Sequence, residues 1–331
     1  MSAVRVAVDA MGGDNAPDAI IEGVILALNT SADIHVLLTG DETLLTEKLG
    51  KHTYNKDQLT IVHAPGIIEN TDSPVIAVRQ KKDASMVVGL RLVKEKAADA
   101  FDSDGNTGAV LAGGTLIVGR IKGIQRPALA SLIPNDTGFS LLIDCGANVD
   151  SKASFLHQFA QMGSIYYESF LNTKNPRIGL VNVGAESSKG NALVKETYVL
   201  LKEDSTLNFI GNIEAREISE GVADVVVCDG FVGNVILKYT EGLAMSLLGM
   251  IKKAITSTFK AKMGALLIKS SLKKMMKNFD YSEYGGAPLL GLNGLVVKTH
   301  GSSDANGVKN TILQCKKFHE QKVNEKIQQN L

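Results

Sequence analysis

The chain has 331 residues, of which 44% are hydrophobic and 32 are glycine, with 35 basic against 35 acidic side chains. That length holds one large or two ordinary domains, and the glycine content suits layered α/β folds with many strand-to-helix turns. A formal net charge of +0 supplies no basic field, so no nucleic-acid partner is expected.

Val4–Asp9 reads as a first, β-branched strand that runs into AMGGDNAP, and IIEGVILALN follows with helical spacing. Ile34–Thr39 is a second strand, Asp41–Leu49 a helix and Leu59–His63 a third strand. Ser73–Pro74 is a helix start, and Ser85–Lys96 is amphipathic. The apolar run Ala98–Phe101 feeds DSDGNTGAVLAGG, Asp102–Gly114, which opens into a helix of small residues. Ala128–Ile133 and Ser140–Asp144 read as paired strands joined by PNDTG. Helix Lys152–Asn172 and strand Arg177–Val183 follow, and then SSKG, Ser187–Gly190, opens a helix through Glu203. Asn208–Gly211 and Ala223–Cys228 are strands, DGFVGN opens another helix, and Gly294–Thr299 is a late strand ending in HGSSD, His300–Asp304. A polar amphipathic helix begins at Val308.

This alternation predicts a three-layer α/β/α sandwich with a mainly parallel sheet, one domain over residues 1–331. Ligands of such sheets bind at the carboxyl ends of the strands, where Asp9, Asn106, Asp144, Lys189, Asp229 and His300 all fall on this reading. Gly105 and Gly108 let the backbone turn, and Asn106 and Thr107 are helix-capping types. Such a helix start offers unpaired N–H groups and a positive dipole end to a phosphate, although glycine-rich turns of this kind also occur as plain connections.

Residues 242–279 depart from the rest: they hold no Asp or Glu but carry Lys252, Lys253, Lys260, Lys262, Lys269, Lys273, Lys274 and Lys277. Leu248, Ile251, Ile255, Phe259, Met263, Leu266, Leu267, Leu272, Met275 and Met276 recur among them, and Gly264 is the expected break of a helical hairpin. Three uses fit: an anionic membrane surface, an acidic protein partner, or a subunit interface with solvated lysines. Cys145, Cys228 and Cys315 form no CxxC and fit a reducing cytosol. The N-terminus MSAVRVAVDAMGGDN is no signal peptide, and no stretch approaches the ~20 apolar residues of a spanning helix. The expectation is a cytoplasmic protein, at most resting on a membrane.

Several motifs now stand in order: VAVDAMGGDNAP (Val6–Pro17), SPVIAVRQKKDASM (Ser73–Met86), GNTGA (Gly105–Ala109), RPALA (Arg126–Ala130), GANVD (Gly146–Asp150), SKGN (Ser188–Asn191), NFIGN (Asn208–Asn212), GNV (Gly233–Val235), DYSEYGGAPLLGLNG (Asp280–Gly294) and HGSSDA (His300–Ala305). Together they resemble the bacterial phosphate acyltransferases that turn acyl-acyl carrier protein and orthophosphate into acyl phosphate, over essentially the whole chain. Asp104 and Asp102 depart from the pattern, which has a small or apolar residue before GNTG. A carboxylate beside an anion site repels phosphate, so Asp104 is expected to point away or to pair with a base. Val232 replaces a frequent Thr. The resemblance implies a fold akin to isocitrate and isopropylmalate dehydrogenases and phosphate acetyltransferases, a homodimer, and no cofactor or metal. It also implies a peripheral membrane role, supplying a membrane glycerol-3-phosphate acyltransferase in phospholipid synthesis.

Phosphate is already an anion and a thiol is a fair leaving group, so the reaction needs positioning and oxyanion stabilisation more than acid or base. The expected seat for phosphate lies between Asn106, Thr107 and Gly108 and the loop Gly301, Ser302 and Ser303, with Lys189 neutralising charge and His300 or Asn234 donating to the thioester oxygen. The plain alternatives are a solvated Lys189, a His300 satisfied by backbone and an Asn234 that caps a helix. Asp9 and Asp304 are expected to orient loops. Lys252, Lys253, Ile255, Phe259, Lys260, Met263, Leu266 and Leu267 are the expected contacts to membrane or carrier protein. The apolar residues of Gly285–Leu292 are either core or acyl groove. An acyl-Cys145 route is open in principle but finds no histidine in its motif. Competing readings are an acetyl- or butyryltransferase using acyl-coenzyme A, a metal- and NAD-dependent dehydrogenase, and a non-catalytic docking scaffold.

Overall fold

A computed structural model describes residues 3–278 and 285–331, with the side chains of 271–278 excepted. Motif residues 280–284 and the side chains of Leu272, Lys273, Lys274, Met275, Met276 and Lys277 therefore lie outside the described residues. The first half runs β1 (Val4–Asp9), α1 (Asp18–Thr30), β2 (Ile34–Gly40), α2 (Glu42–Leu49), β3 (Leu59–His63), α3 (Pro74–Gln80), α4 (Ser85–Lys94), β4 (Ala100–Ser103) and α5 (Thr107–Gly113), which a π turn extends to Val118. Next come β5 (Ala128–Asn135), β6 (Gly138–Ile143), α6 (Ala153–Leu171), β7 (Arg177–Asn182), α7 (Ala192–Glu203), β8 (Asn208–Glu214) and β9 (Val225–Val227). The chain ends with α8 (Gly230–Thr256), α9 (Phe259–Asn278), β10 (Ala287–Leu290), β11 (Leu295–Lys298), α10 (Ala305–Glu320) and α11 (Val323–Asn330).

The described strands form one 11-stranded sheet in the order β3-β2-β1-β4-β11-β10-β5-β6-β9-β7-β8. Alternate residues of each strand feed opposite faces. Val6, Val8, Ile143 and Val297 enter one core with α1, α6 and α10, while Ala7, Leu142 and Val296 enter the other with α3, α4 and α5. This is the expected three-layer α/β/α arrangement. Side-chain caps recur where strands turn into helices: Asn106 accepts from the Ala109 amide, Asn191 from Val194, Asp229 from Val232 and Asp304 from Asn306 and Gly307. Each such cap contributes about 1 kcal/mol.

The carboxyl ends do not share one rim, however. β10 is antiparallel to both β11 and β5, and β5 is antiparallel to β6. With the remaining pairs parallel, β6, β9, β7 and β8 run opposite to β1, β2, β3, β4 and β11. The net reversal lies at the β5–β6 hairpin, which was expected as paired strands, but alternation of strand and helix carries no sign for the rim on which the later strands end. The central strands β4, β11 and β10 are four residues each, only about 13 Å at ~3.3 Å per residue. Loops from both edges can therefore meet over the middle of the sheet.

Other boundaries shift as well. The helix expected from SSKG starts at Ala192, after Asn191, so Ser187–Gly190 is loop. The C-terminal helix begins at Ala305 and is followed by α11. Gly285–Leu292 contains β10, with Leu289, Leu290 and Leu292 buried. The hairpin breaks at Ser257–Thr258 and not at Gly264, which lies inside α9. Ser257 Oγ donates to the Ala254 carbonyl and Thr258 Oγ1 accepts from the Ala261 amide, so hydroxyls stop one helix and start the next. A glycine costs a helix only about 1 kcal/mol, which two long helices absorb. Within α8 only Gly230 and Gly233 are buried, so most of α8 stands clear of the sheet with α9 packed on it.

Two glycines of α8 separate packing from propensity. A Cβ on Gly233 would overlap the Asp144 carbonyl oxygen, whereas one on Gly242 meets nothing within 4 Å. Gly233→Ala is expected to destabilise by about 1–3 kcal/mol, while Gly242→Ala is expected to stabilise by up to about 1 kcal/mol. Thermal melts of the two variants check the opposite signs.

Candidate active site

The loops of the first half converge where β1, β4 and β11 end. Asp9 closes β1, and its buried carboxylate accepts hydrogen bonds from Ser85 Oγ (2.5 Å), Ser103 Oγ (2.7 Å) and the Met11 amide (3.2 Å). One side chain thus ties together the β1 loop, the start of α4 and the end of β4. Gly12 packs its backbone on the next loop, because a Cβ there would lie 2.8 Å from the Gly105 nitrogen. The Asp14 amide donates to the Gly301 carbonyl at 2.8 Å, and Asn15 Nδ2 donates to the Ser302 and Ser303 carbonyls at 3.1 and 3.0 Å. The AMGGDN, GNTG and HGSSD loops therefore form one continuous surface.

Within it, the Asn106 side chain is committed to structure. Its Oδ1 accepts from the Ala109 amide at 3.0 Å and its Nδ2 donates to the Asn70 carbonyl at 3.2 Å. The Thr107 and Gly108 amides belong to the first helical turn, where N–H groups lack an intrahelical acceptor. His300 is exposed, and its Nδ1 accepts from the Ser302 amide at 3.2 Å, which leaves Nε2 facing outward. Asp304 caps α10. The orienting roles expected of Asp9 and Asp304 are what these bonds perform.

A lysine that sequence reasoning missed lies behind this surface. Lys298 ends β11, is 8% exposed, and donates from Nζ to the Asp104 carbonyl at 3.1 Å and to the Thr299 carbonyl. Burial holds its ammonium below the ordinary lysine range, against the pull of Asp104, Asp102 and Asp9. Burial pushes the Asp9 and Asp104 carboxyls up and Asp102 up to about 7. Asp102 Oδ1 accepts from Thr299 Oγ1 at 2.7 Å, and its Oδ2 is buried with no hydrogen-bond partner. Lys298 bonds the Asp104 carbonyl and not its carboxyl, and burial holds that carboxyl toward its neutral form. The available signal was an apolar strand, LVV, that ends in a lysine at the sheet rim.

From the other half, the loop after β6 reaches over the sheet. The Asp144 carboxylate accepts from the amides of Leu129, Gly146, Ala147 and Asn148 at 3.1, 3.2, 3.0 and 2.7 Å, and from Asn148 Nδ2 at 2.8 Å. Gly146 has φ +130°, and a Cβ there would lie 3.5 Å from that of Asn234. Asn234 is one turn inside α8, whose cap is Asp229, and its side-chain amide makes no hydrogen bond to any described residue. Beside this loop a narrow cleft is lined by Thr107 and Leu111 of α5, Leu129, Ala147, Leu289 and Lys298. Asn234 packs beside Gly146, the residue before Ala147, but is not itself among the residues that line the cleft.

Lys189 does not join them within this chain. β7 lies five positions from β11 in the sheet and runs the other way, roughly 24 Å off at ~4.8 Å per strand. Lys189 is exposed on a loop held by two half-sheet asparagines: Asn182 Nδ2 donates to the Lys189 carbonyl at 3.2 Å, and Asn212 Nδ2 to that of Glu186 at 3.1 Å. The cation beside GNTG is Lys298. Cys145 is buried, its Sγ donates to the Leu142 carbonyl at 3.1 Å, and burial drives its thiol well above the usual range, which leaves no thiolate for an acyl-cysteine.

The fatty acid synthesis protein family matches residues 4–326. The chain belongs to that family. Relatives named phosphate acyltransferase include those of Clostridium perfringens, 52% identical over 96% of this chain and 94% of that protein, and Alkaliphilus oremlandii, 52% identical over 98% and 96%. Among solved structures, a phosphotransacetylase from Streptococcus pyogenes aligns with TM-score 0.65 at 16% identity over 96% of this chain and 94% of its own. A branched-chain phosphotransacylase from Enterococcus faecalis aligns with TM-score 0.55 at 14% identity, over 96% and 99%. At these identities the likeness is one of fold.

The buried carboxyls make stability depend on pH. An unfolded aspartate titrates near ~3.9, whereas folded Asp102 titrates at about 7. Between those values the folded chain holds more protons, so stability falls as pH rises through the window. Unfolding free energies from urea melts are expected to be higher at pH 5 than at pH 7.5, and Asp102→Asn is expected to shrink that difference by an amount on the order of a few kcal/mol. An unchanged difference would refute the assignment.

Proposed function

We propose that this chain transfers a fatty acyl group from acyl-acyl carrier protein to orthophosphate, releasing acyl phosphate for phospholipid synthesis. The observation that carries this reading is the fusion of three glycine-rich loops into one amide-lined surface, through the Gly12–Gly105 contact and the Asp14–Gly301 bond. Phosphate is seated against the Thr107 and Gly108 amides and against Gly301, Ser302 and Ser303. His300 Nε2 or the Asn234 amide is the proposed donor to the thioester oxygen. Family membership and the phosphate acyltransferase relatives support the reaction class. An oxygen of HPO₄²⁻ attacks the thioester carbon, the C–S bond breaks, and the proton carried by the phosphate ends on the thiol. Removal of one donor to such an oxyanion costs roughly 10²–10³ in rate.

The fold shared with phosphotransacetylases favours a second reading, in which coenzyme A carries the acyl group. Purified protein given phosphate and palmitoyl thioesters of both carriers separates them by hydroxylamine trapping of acyl phosphate. Preference for the carrier protein by tenfold or more in kcat/KM is expected. The reverse preference selects coenzyme A, and no product from either sinks both. His300→Ala is expected to lower kcat/KM about 100-fold without a shift in Tm.

The α8–α9 hairpin is the proposed contact to an anionic membrane. Lys252, Lys253 and Lys260 are exposed, as are Phe259 (79%), Met263, Leu266 and Leu267 (85%), and Ile255 is half-buried. No described helix is long and apolar enough to cross a membrane. Each lysine near an anionic leaflet contributes about 1 kcal/mol. Sedimentation with anionic vesicles but not with neutral ones is expected, and equal pelleting would remove the role. A homodimer is proposed with it, to be read from solution mass.

A further inference from the structure

The loop after β11 is held from one side by an exposed side chain. Asn15, in the loop after β1, donates from Nδ2 to the Ser302 and Ser303 carbonyls at 3.1 and 3.0 Å, and the preceding Asp14 amide donates to the Gly301 carbonyl at 2.8 Å. Gly13, at φ +101°, lets the β1 loop come this close, since a Cβ there would lie 3.0 Å from the Gly301 carbonyl oxygen. Three consecutive carbonyls therefore face residues 14 and 15. In a planar trans peptide the carbonyl and the N–H of the next residue point to opposite sides. The Ser302 and Ser303 amides accordingly turn away from Asn15, and both go to His300. The Ser302 amide donates to His300 Nδ1 at 3.2 Å, and the Ser303 amide donates to the His300 carbonyl at 3.1 Å. Each of these two peptide planes is gripped on both edges, by the β1 loop on one and by His300 on the other.

We propose that Asn15 is a positioning residue that acts through His300. By holding the Ser302 and Ser303 carbonyls it keeps the turn closed on the histidine. A backbone amide can only donate, so the Nδ1 that receives the Ser302 amide carries no proton, and the neutral ring bears its proton on Nε2. Ser302 Oγ, 2.9 Å from the same Nδ1, is a second donor to it. The histidine is thereby fixed as a donor whose N–H faces outward, the state in which it bonds a thioester oxygen. An asparagine suits this task because its amide nitrogen has two N–H groups for two carbonyls. A carboxylate of the same shape has none. Asn15 is exposed and lies outside the described helices and strands, so its removal takes nothing from the core, unlike that of Asp9 or Lys298.

This inference deepens the acyl transfer proposed above and rests on it, with His300 as the donor. Asn15→Ala is expected to lower kcat about tenfold at unchanged Tm, and Asn15→Asp, which sets a carboxylate against two carbonyls, is expected to lower it further. A double-mutant cycle reads whether one residue acts through the other: in a His300→Ala background, Asn15→Ala is expected to change kcat by less than about twofold. A full loss of about tenfold on top of His300→Ala would overturn the assignment, as would an Asn15→Ala kcat within about twofold of the wild type. Hydrogen exchange reads the loop without turnover. The peptide holding Ser302 and Ser303 is expected to exchange about tenfold faster in Asn15→Ala, and unchanged exchange counts against the proposal. If exchange accelerates but the wild type makes no acyl phosphate, the reaction assigned above fails and the hold of Asn15 on the histidine loop stands.

Discussion

The Asp9 carboxylate and the Lys298 ammonium are the fixed points on which the rest of the site depends. Asp9 draws Ser85, Ser103 and the Met11 amide to one place. Lys298 draws in the carbonyls of Asp104 and Thr299 from behind. Both groups are buried, so neither can be loosened cheaply: stranding one partner of a buried charge cluster costs about 3–5 kcal/mol. Loops made largely of glycine have little rigidity of their own. Here they inherit it from two charges locked beneath them, and a surface of backbone amides becomes an ordered one.

That arrangement also explains how two aspartates can stand beside an anion site. Asp102 and Asp104 precede GNTG, and as free carboxylates they would oppose phosphate. They face a single ammonium in a closed environment instead, and burial shifts both toward the protonated form. The same burial lowers the Lys298 ammonium while the neighbouring carboxyls pull it the other way. The departures from the family pattern at 102 and 104 are thus tolerated by chemistry supplied from β11, far away in the chain.

Much of this was legible in the residues. Val4–Asp9, the β5–β6 hairpin at PNDTG and the Asn106 cap all follow from patterns local to a few residues, and all three stand as read. What failed was non-local. The short strand β10 is invisible to hydrophobic spacing, since APLL looks like any apolar run, and so is the rim on which the strands after the β5–β6 hairpin end. The order of the strands sets Lys189 apart from the GNTG loop within this chain and places Ala147 near Thr107. Lys298 escaped for a related reason: a lysine at the end of LVV reads as a solvated strand end until the fold buries it. Gly264 shows the opposite error, in which a residue of poor helix propensity was given more weight than the length of the helix around it.

The β5–β6 hairpin is therefore where the architecture turns, since β10 is antiparallel to both neighbours and leaves β5 running with β11. Were all strands parallel, the loops after β6 and β9 would lie on the same rim as GNTG but displaced laterally by several strand widths. Reversal places them on the opposite rim, and the four-residue strands at the centre bring the two rims within reach. The result is a cleft with an amide-rich wall from one half and an Asp144-braced loop from the other. Neither wall holds a nucleophile with an adjacent base, and the one thiol near the cleft is sealed off. What the site does offer is amides, a histidine nitrogen, an asparagine and an ammonium, which is the equipment for steadying charge on two reactants as they approach.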